Sequence, residues 1–172
     1  MARVSTRENK NIYQLTRENL KLTRETASEL LESIPPERIE KIENERSFPH
    51  PDEVLTMAEK YKKPDLCNYY CANQCPIGQQ YVPEIQIKDL SQIVLEMLAS
   101  LNAMNKRKDR LIEITADGKI SDDELEDFLY IQEELERISI TVETLQLWAE
   151  KMLAAGVIDE ARYEAYRSRK KT

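Results

Sequence analysis

Cys67, Cys71 and Cys75 stand four residues apart, so a continuous helix would line up their three thiols along one face. Such a face, completed by a fourth donor such as His50, is a soft-ligand arrangement of the kind that holds zinc or an iron-sulfur cluster. The competing reading is packing: a reduced cysteine behaves as a small apolar group, and Tyr69, Tyr70 and Ile77 lie close enough in sequence to surround it. Packing is the reading adopted, with Cys67, Cys71 and Cys75 as the alternative metal ligands. A second cluster, this one acidic, is Asp117-Gly118 followed by Asp122, Asp123, Glu124, Glu126 and Asp127, and suggests calcium. An EF-hand needs oxygen ligands at alternating positions ahead of its glycine, where this chain has Ile114, Thr115 and Ala116, so helix capping is expected instead. Gly78, Gly118 and Gly156 are too far apart to build a phosphate-binding loop, and a single histidine leaves no material for a His-rich metal centre. No catalytic residue and no cofactor is expected, and the chain is read as something other than an enzyme.

The elements that must position these residues are helical. Of 172 residues, 41% are hydrophobic and 33% charged, with only 3 glycines for hairpin turns, a composition that predicts an all-α protein. Over residues 1–66 the spacing predicts five short helices. Ile12 and Leu15 mark the first; Thr23 is a plausible N-cap for the second, which buries Ala27, Leu30 and Leu31. Pro36 opens the third, with Ile39 and Ile42 on one face, and Pro51 the fourth, with Val54, Leu55, Ala58 and Tyr61. Pro64 begins the last. Residues 67–83 lose this period and read as a packed connector.

Residues 84–172 have a different pattern. Leu90, Val94, Met97, Leu101 and Met104 follow a 4-3-4-3 spacing, interrupted at Lys108 and resumed at Leu111, and predict a long helix ending near Asp117-Gly118. Ser121 to Glu124 reads as a capping box. Leu125, Phe128, Leu135, Ile138, Val142, Leu145 and Met152 carry a second seam to about Ala155, where Gly156 ends the helix, and Tyr163 and Tyr166 suggest a short final helix before the basic stretch from Arg167 to Lys171. A short loop between two long helices predicts an antiparallel hairpin. Two such hairpins would make a four-helix bundle, so a homodimer through the C-terminal helices is expected.

Charge is unevenly spread. Met1–Lys63 carries 12 basic and 12 acidic residues, so the whole net charge of -7 falls on the remainder. This excludes a protein that coats nucleic acid without regard to sequence and assigns any anion-facing surface to the first part. The most apolar run, Ile93 to Leu101, contains Glu96 and is far shorter than the ~20 residues of a membrane span. With no apolar leader and an odd number of cysteines, the expectation is a cytoplasmic protein that avoids membranes.

The segment from Asn11 to Cys67 resembles the helix-turn-helix domain of phage-repressor-like (Xre-like) regulators. The resemblance is carried by Leu20 to Glu25 before the second helix, Ala27 and Leu30-Leu31 within it, Ile39 to Asn44 in the third, and Pro49 with Pro51 to Ala58 after it. The run Cys67 to Gly78 and the helical tail look like a variant common among bacterial regulators of this kind. The resemblance implies double-stranded DNA as partner and a recognition helix at about 36–45 in the major groove. It implies phosphate contacts from Arg17, Thr23, Arg24, Arg46 and Ser47, and base-edge contacts from Glu37, Arg38, Glu40, Lys41 and Asn44. Two features depart from the pattern. The turn is one residue longer than usual, and Glu37, Glu40, Glu43 and Glu45 repel phosphate unless they point away or accept from cytosine amino groups. The acidic third helix supports the alternative, a protein-interaction adaptor that keeps the helix-turn-helix fold without strong DNA binding.

Overall fold

The computed structural model describes residues 9–116 and 118–169. Asp117 and the last two lysines of the basic stretch, Lys170 and Lys171, lie outside the described residues. Among the described residues, every regular element is an α-helix, and no helix is long and apolar enough to cross a membrane. The chain divides into two compact units, Met1–Glu84 with Glu150–Thr172, and Ile85–Ala149.

The first unit holds α1 (Ile12–Asn19), α2 (Arg24–Leu31), α3 (Pro36–Glu43), α4 (Pro51–Lys60), α5 (Asp65–Asn73) and α6 (Gly78–Tyr81). Each start is written locally. The Asn11 side chain accepts from the Gln14 N–H, and Thr23 and Thr26 exchange hydrogen bonds in a capping box. Pro36 and Pro51 occupy first-turn positions where a missing N–H costs nothing. The ends of α1, α3 and α4 are closed alike: Leu22 N–H reaches Arg17 O, Arg46 N–H reaches Lys41 O, and Lys63 N–H reaches Ala58 O. Lys21, Glu45 and Lys62 take the left-handed conformation there, with φ of 58°, 57° and 54°.

One core serves these helices: Tyr13, Ala27, Leu31, Ile34, Ile39, Ile42, Val54, Met57, Ala58, Tyr61 and Leu66. The expected stripe of α1 is shifted, because Tyr13 is buried while Leu15 lies 45% exposed. The expected boundary after residue 66 falls inside α5, where Leu66 is a core residue. The connector is therefore helical and part of the unit. Tyr13 donates to Gln74 Oε1 at 2.9 Å and meets the Tyr69 ring edge-on at 6.2 Å between centroids.

The second unit contains α7 (Leu90–Thr115) and most of α8 (Leu125–Ala154). Arg107 and Arg110 of α7 both reach Asp127 of α8 at 2.7 Å, and Arg107 also lies over the Tyr130 ring. Ser121 N–H donates to Glu124 Oε2 at 3.0 Å ahead of α8. The buried seam differs from the expected one. Ile93 and Ile114 are buried on α7, whereas Leu90, Val94 and Leu101 are exposed. On α8 Ile131, Glu134 and Thr141 are buried and Leu135 and Val142 exposed. Two heptad stripes share Met97, Met104 and Leu111 on α7, so a rotation of one position around the helix exchanges their remaining members. After α8, Gly156 takes φ 69° with Val157 N–H on Met152 O, and α9 (Glu160–Arg169) comes next.

Gly78 packs so close to α5 that an added Cβ would lie 2.1 Å from the Cys71 carbonyl oxygen. Gly78→Ala is expected to lower the stability of the first unit by about 1–3 kcal/mol, as overpacking against backbone does. Chemical denaturation followed by the tyrosine signal, which reports this unit through Tyr13, Tyr61, Tyr69 and Tyr70, checks it.

Candidate functional site

The residues expected to face a ligand lie on α1, at the start of α2, on α3 and on the segment 44–50 beyond it. Their arrangement begins with Glu43. This side chain sits at the end of the face of α3 that also carries Ile39 and Ile42, and it is 1% exposed. Its two carboxylate oxygens accept from Arg17 Nε at 2.5 Å, Arg17 Nη2 at 3.0 Å and Arg24 Nε at 2.9 Å. Arg17 belongs to α1 and Arg24 to α2, so one buried carboxylate ties three helices together through charge-assisted bonds. Arg17 also donates to the Leu22 carbonyl at 2.5 Å, fixing the turn into α2.

A second ion pair orders the segment between α3 and α4. Arg38 donates from Nε and Nη2 to the two oxygens of Glu53 at 2.7 and 2.6 Å, in the bidentate geometry peculiar to arginine. It also bonds Ser47 Oγ at 2.6 Å and the Phe48 carbonyl at 2.9 Å. Glu53 accepts from the His50 N–H at 2.7 Å, which closes the start of α4. Burial pushes the Glu53 carboxyl up, but the Arg38 guanidinium, the His50 N–H and the nearby positive charge outweigh it and hold the group below the usual carboxylate range.

These contacts sort the expected site residues. Arg17 is buried in its pair with Glu43 and does not join a phosphate-facing track. Arg38, expected at a base edge, spends its donors on Glu53, Ser47 and Phe48, and Ser47 is held with it. Thr23 is the N-cap of α2, and Arg24 is partly exposed while bound to Glu43. Glu37 and Lys41 are exposed on α3, with Glu40 and Asn44 half-buried beside them. Arg46 projects from the end of α3, 68% exposed, 3.9 Å from Glu40. Lys41, Asn44 and Arg46 thus stay together on the outer side of α3 with Glu37 and Glu40, while Arg17 and Arg38 are drawn into the scaffold.

Glu43 and Glu53 are the residues that the outward-facing reading of the sequence missed. Glu43 was legible in principle, since it follows Ile39 at i+4 on the inner face. Its partners were not, because they lie 26 and 19 residues away.

The cysteines are half-buried and unbridged. Helix α5 carries Cys67 and Cys71 but ends at Asn73, so Cys75 leaves the common face. Cys75 Sγ accepts instead from the Gly78 N–H at 3.5 Å. Burial, helped by Cys71 and acidic neighbours, pushes the Cys67 thiol above its ordinary value and favours the neutral form over the thiolate that binds metals. Among the described residues no group of three histidine, cysteine or acidic side chains is placed to hold a metal ion. No protein-family model, curated protein or solved structure matches the chain.

Each ion pair has a measurable consequence. Glu43→Ala strands two guanidinium groups, one of them buried, and should cost about 3–5 kcal/mol, the range for breaking a buried ion pair from one side; urea denaturation measures it. Glu53, held below its unfolded value of about 4.3, contributes stability that is full above that pH and lost as the pH falls through the folded value. Denaturation midpoints should therefore drop more steeply as the pH falls below about 4.3 in the wild type than in Glu53→Gln.

Proposed function

We propose that the first unit is a helix-turn-helix module of the phage-repressor-like kind, in a cytoplasmic, sequence-specific regulator that binds double-stranded DNA and is not an enzyme. Helix α3, within the recognition segment 36–45, enters the major groove, α2 crosses the backbone behind it, and two copies joined through their C-terminal helical hairpins read two half-sites. The observation that carries the reading is the burial of Glu43 between Arg17 and Arg24. It removes one of the four carboxylates that opposed DNA binding and braces α3 against α1 and α2. Lys41 and Arg46 offer cations that match base or phosphate oxygens, and Asn44, which donates to Glu40 Oε1 at 3.3 Å, would exchange that bond for the edge of adenine. Beyond the Thr23–Thr26 capping box, the first turn of α2 supplies backbone N–H groups to a phosphate, as helix starts do.

The adaptor reading has its own observation. Glu37, Glu45 and Phe48 are all exposed, Phe48 to 66%, and Arg38 is occupied by Glu53. Exposed carboxylates and an exposed aromatic side chain suit a basic or apolar protein surface.

Selection of random-sequence duplexes by the full chain separates the two. Enrichment of a sequence made of two related half-sites is expected, and no enrichment even at low salt gives the adaptor reading instead. On the selected duplex, Arg46→Ala should weaken binding to all sequences and reduce the salt slope by about 1, and Asn44→Ala should relax preference at particular base pairs at a cost of about 1–3 kcal/mol. A uniform loss in both variants would take sequence reading away from α3.

A further inference from the structure

The α7–α8 pair has two unlike sides. One carries Gln92, Lys106 and Arg110 of α7 with Arg137 of α8. On the other, Leu90, Val94, Leu98 and Leu101 recur at steps of four, four and three and are 40–53% exposed. Leu135 and Val142 of α8, 51% and 39% exposed, lie one heptad apart. The contacts of Arg107 with Tyr130 and of Arg110 with Asp127 fix the register and bring Leu101 level with Leu135 and Val94 with Val142. The two helices run in opposite directions, so stripes displaced in the same sense from their buried seams turn to the same side of the pair.

Three features distinguish this side from ordinary surface. It is more apolar than parts of the seam beneath it, where Glu134 and Thr141 are buried, so the chain's leucines are spent outward. Between Gln92 and Asn105, α7 carries one charge, Glu96, and that is turned to Lys88 at 2.8 Å; loss of charge at the centre marks interface cores. Next to the leucines, on the same side, Leu101, Met104, Asn105, Lys108 and Leu111 line a hollow of about 260 Å³. The face thus carries both projecting side chains and an apolar-floored hollow, the property of a self-complementary patch.

We propose that this face binds the same face of a second copy, with α7 antiparallel to its counterpart and the two-fold axis passing near Leu101. Reflection of sequence position about Leu101 brings Val94 and Leu98 of each copy over the hollow at 104–108 of the other. From Leu90 to Ile112 the face is about 33 Å long and about 20 Å across two helices, roughly 600 Å² per copy. The pair buries about 1,200 Å² in all, the lower edge of stable, specific interfaces. The proposal deepens the two-copy reading given above and its regulatory meaning rests on that reading, but the contact itself requires no DNA.

Sedimentation equilibrium of the full chain at micromolar concentration, without DNA, tests it. The wild type is expected at twice the 20.1 kDa chain mass. Leu98→Glu is expected at the single-chain mass, and Lys106→Glu, on the polar side, at the wild-type mass. A monomeric wild type, or dissociation by Lys106→Glu with Leu98→Glu unaffected, overturns the proposal. A milder variant keeps the test independent of folding: under air oxidation Leu101→Cys should form a covalent dimer that neither the wild type nor Lys106→Cys forms, and equal cross-linking at both sites overturns the placement of the axis. Anisotropy of a single-half-site duplex, measured on Leu98→Glu, distinguishes the two readings. Binding with a monomeric mass leaves the nucleic-acid module intact, and a dimeric wild type that binds no duplex retains this interface while removing the DNA function.

Discussion

The first unit depends on one buried carboxylate. Placing Glu43 away from water is costly, and the cost is offset only because guanidinium groups from two other helices meet both of its oxygens. That requirement fixes the geometry, since Arg17 must come from the end of α1 and Arg24 from the start of α2. Small helices of eight residues have little apolar area with which to hold one another, and a directional ion pair supplies the angular precision that Ile39, Ile42 and Leu31 alone do not. The Arg38–Glu53 pair repeats the device one helix later and holds the segment 44–50 against α4. The outer side of α3 is the surface that these two pairs leave over.

Much of the local structure was legible. Thr23, Pro36, Pro51 and Gly156 act through their own backbone geometry, and each begins or ends its helix where the sequence indicates. Residues that act through distant partners were not. Arg17 and Arg38 read as outward cations because nothing within one helical turn shows that Glu43 and Glu53 await them. Cys67 to Asn73 read as aperiodic because tyrosines and cysteines fill α5 where leucines would reveal a period, yet Leu66 and the Tyr13–Tyr69 contact bind it to the core. The seam of α7 was predicted one position out for another reason: both stripes contain Met97, Met104 and Leu111, and only the buried Ile93 and Ile114 break the tie.

The two units divide the physical work. The first resolves its buried charges internally and turns a small polar surface outward. The second resolves charge at Asp127, which joins Arg107 and Arg110, but leaves leucines uncovered along α7. Under the function proposed above, the small polar surface and the apolar face would be complementary halves of a two-fold reader of a linear polymer. The cysteines pack locally: Cys67 lies against the core and Cys75 receives the Gly78 N–H at the turn into α6.

The central claim is that α3 is the surface that meets nucleic acid. Amide chemical shifts of the full chain, followed as a short duplex of arbitrary sequence is added at low salt, test it most directly. The account predicts perturbations concentrated on residues 36–46 and on the first turn of α2 at Thr23 and Arg24, fading as salt is raised. Perturbations centred on other elements, or none at millimolar duplex, would contradict it.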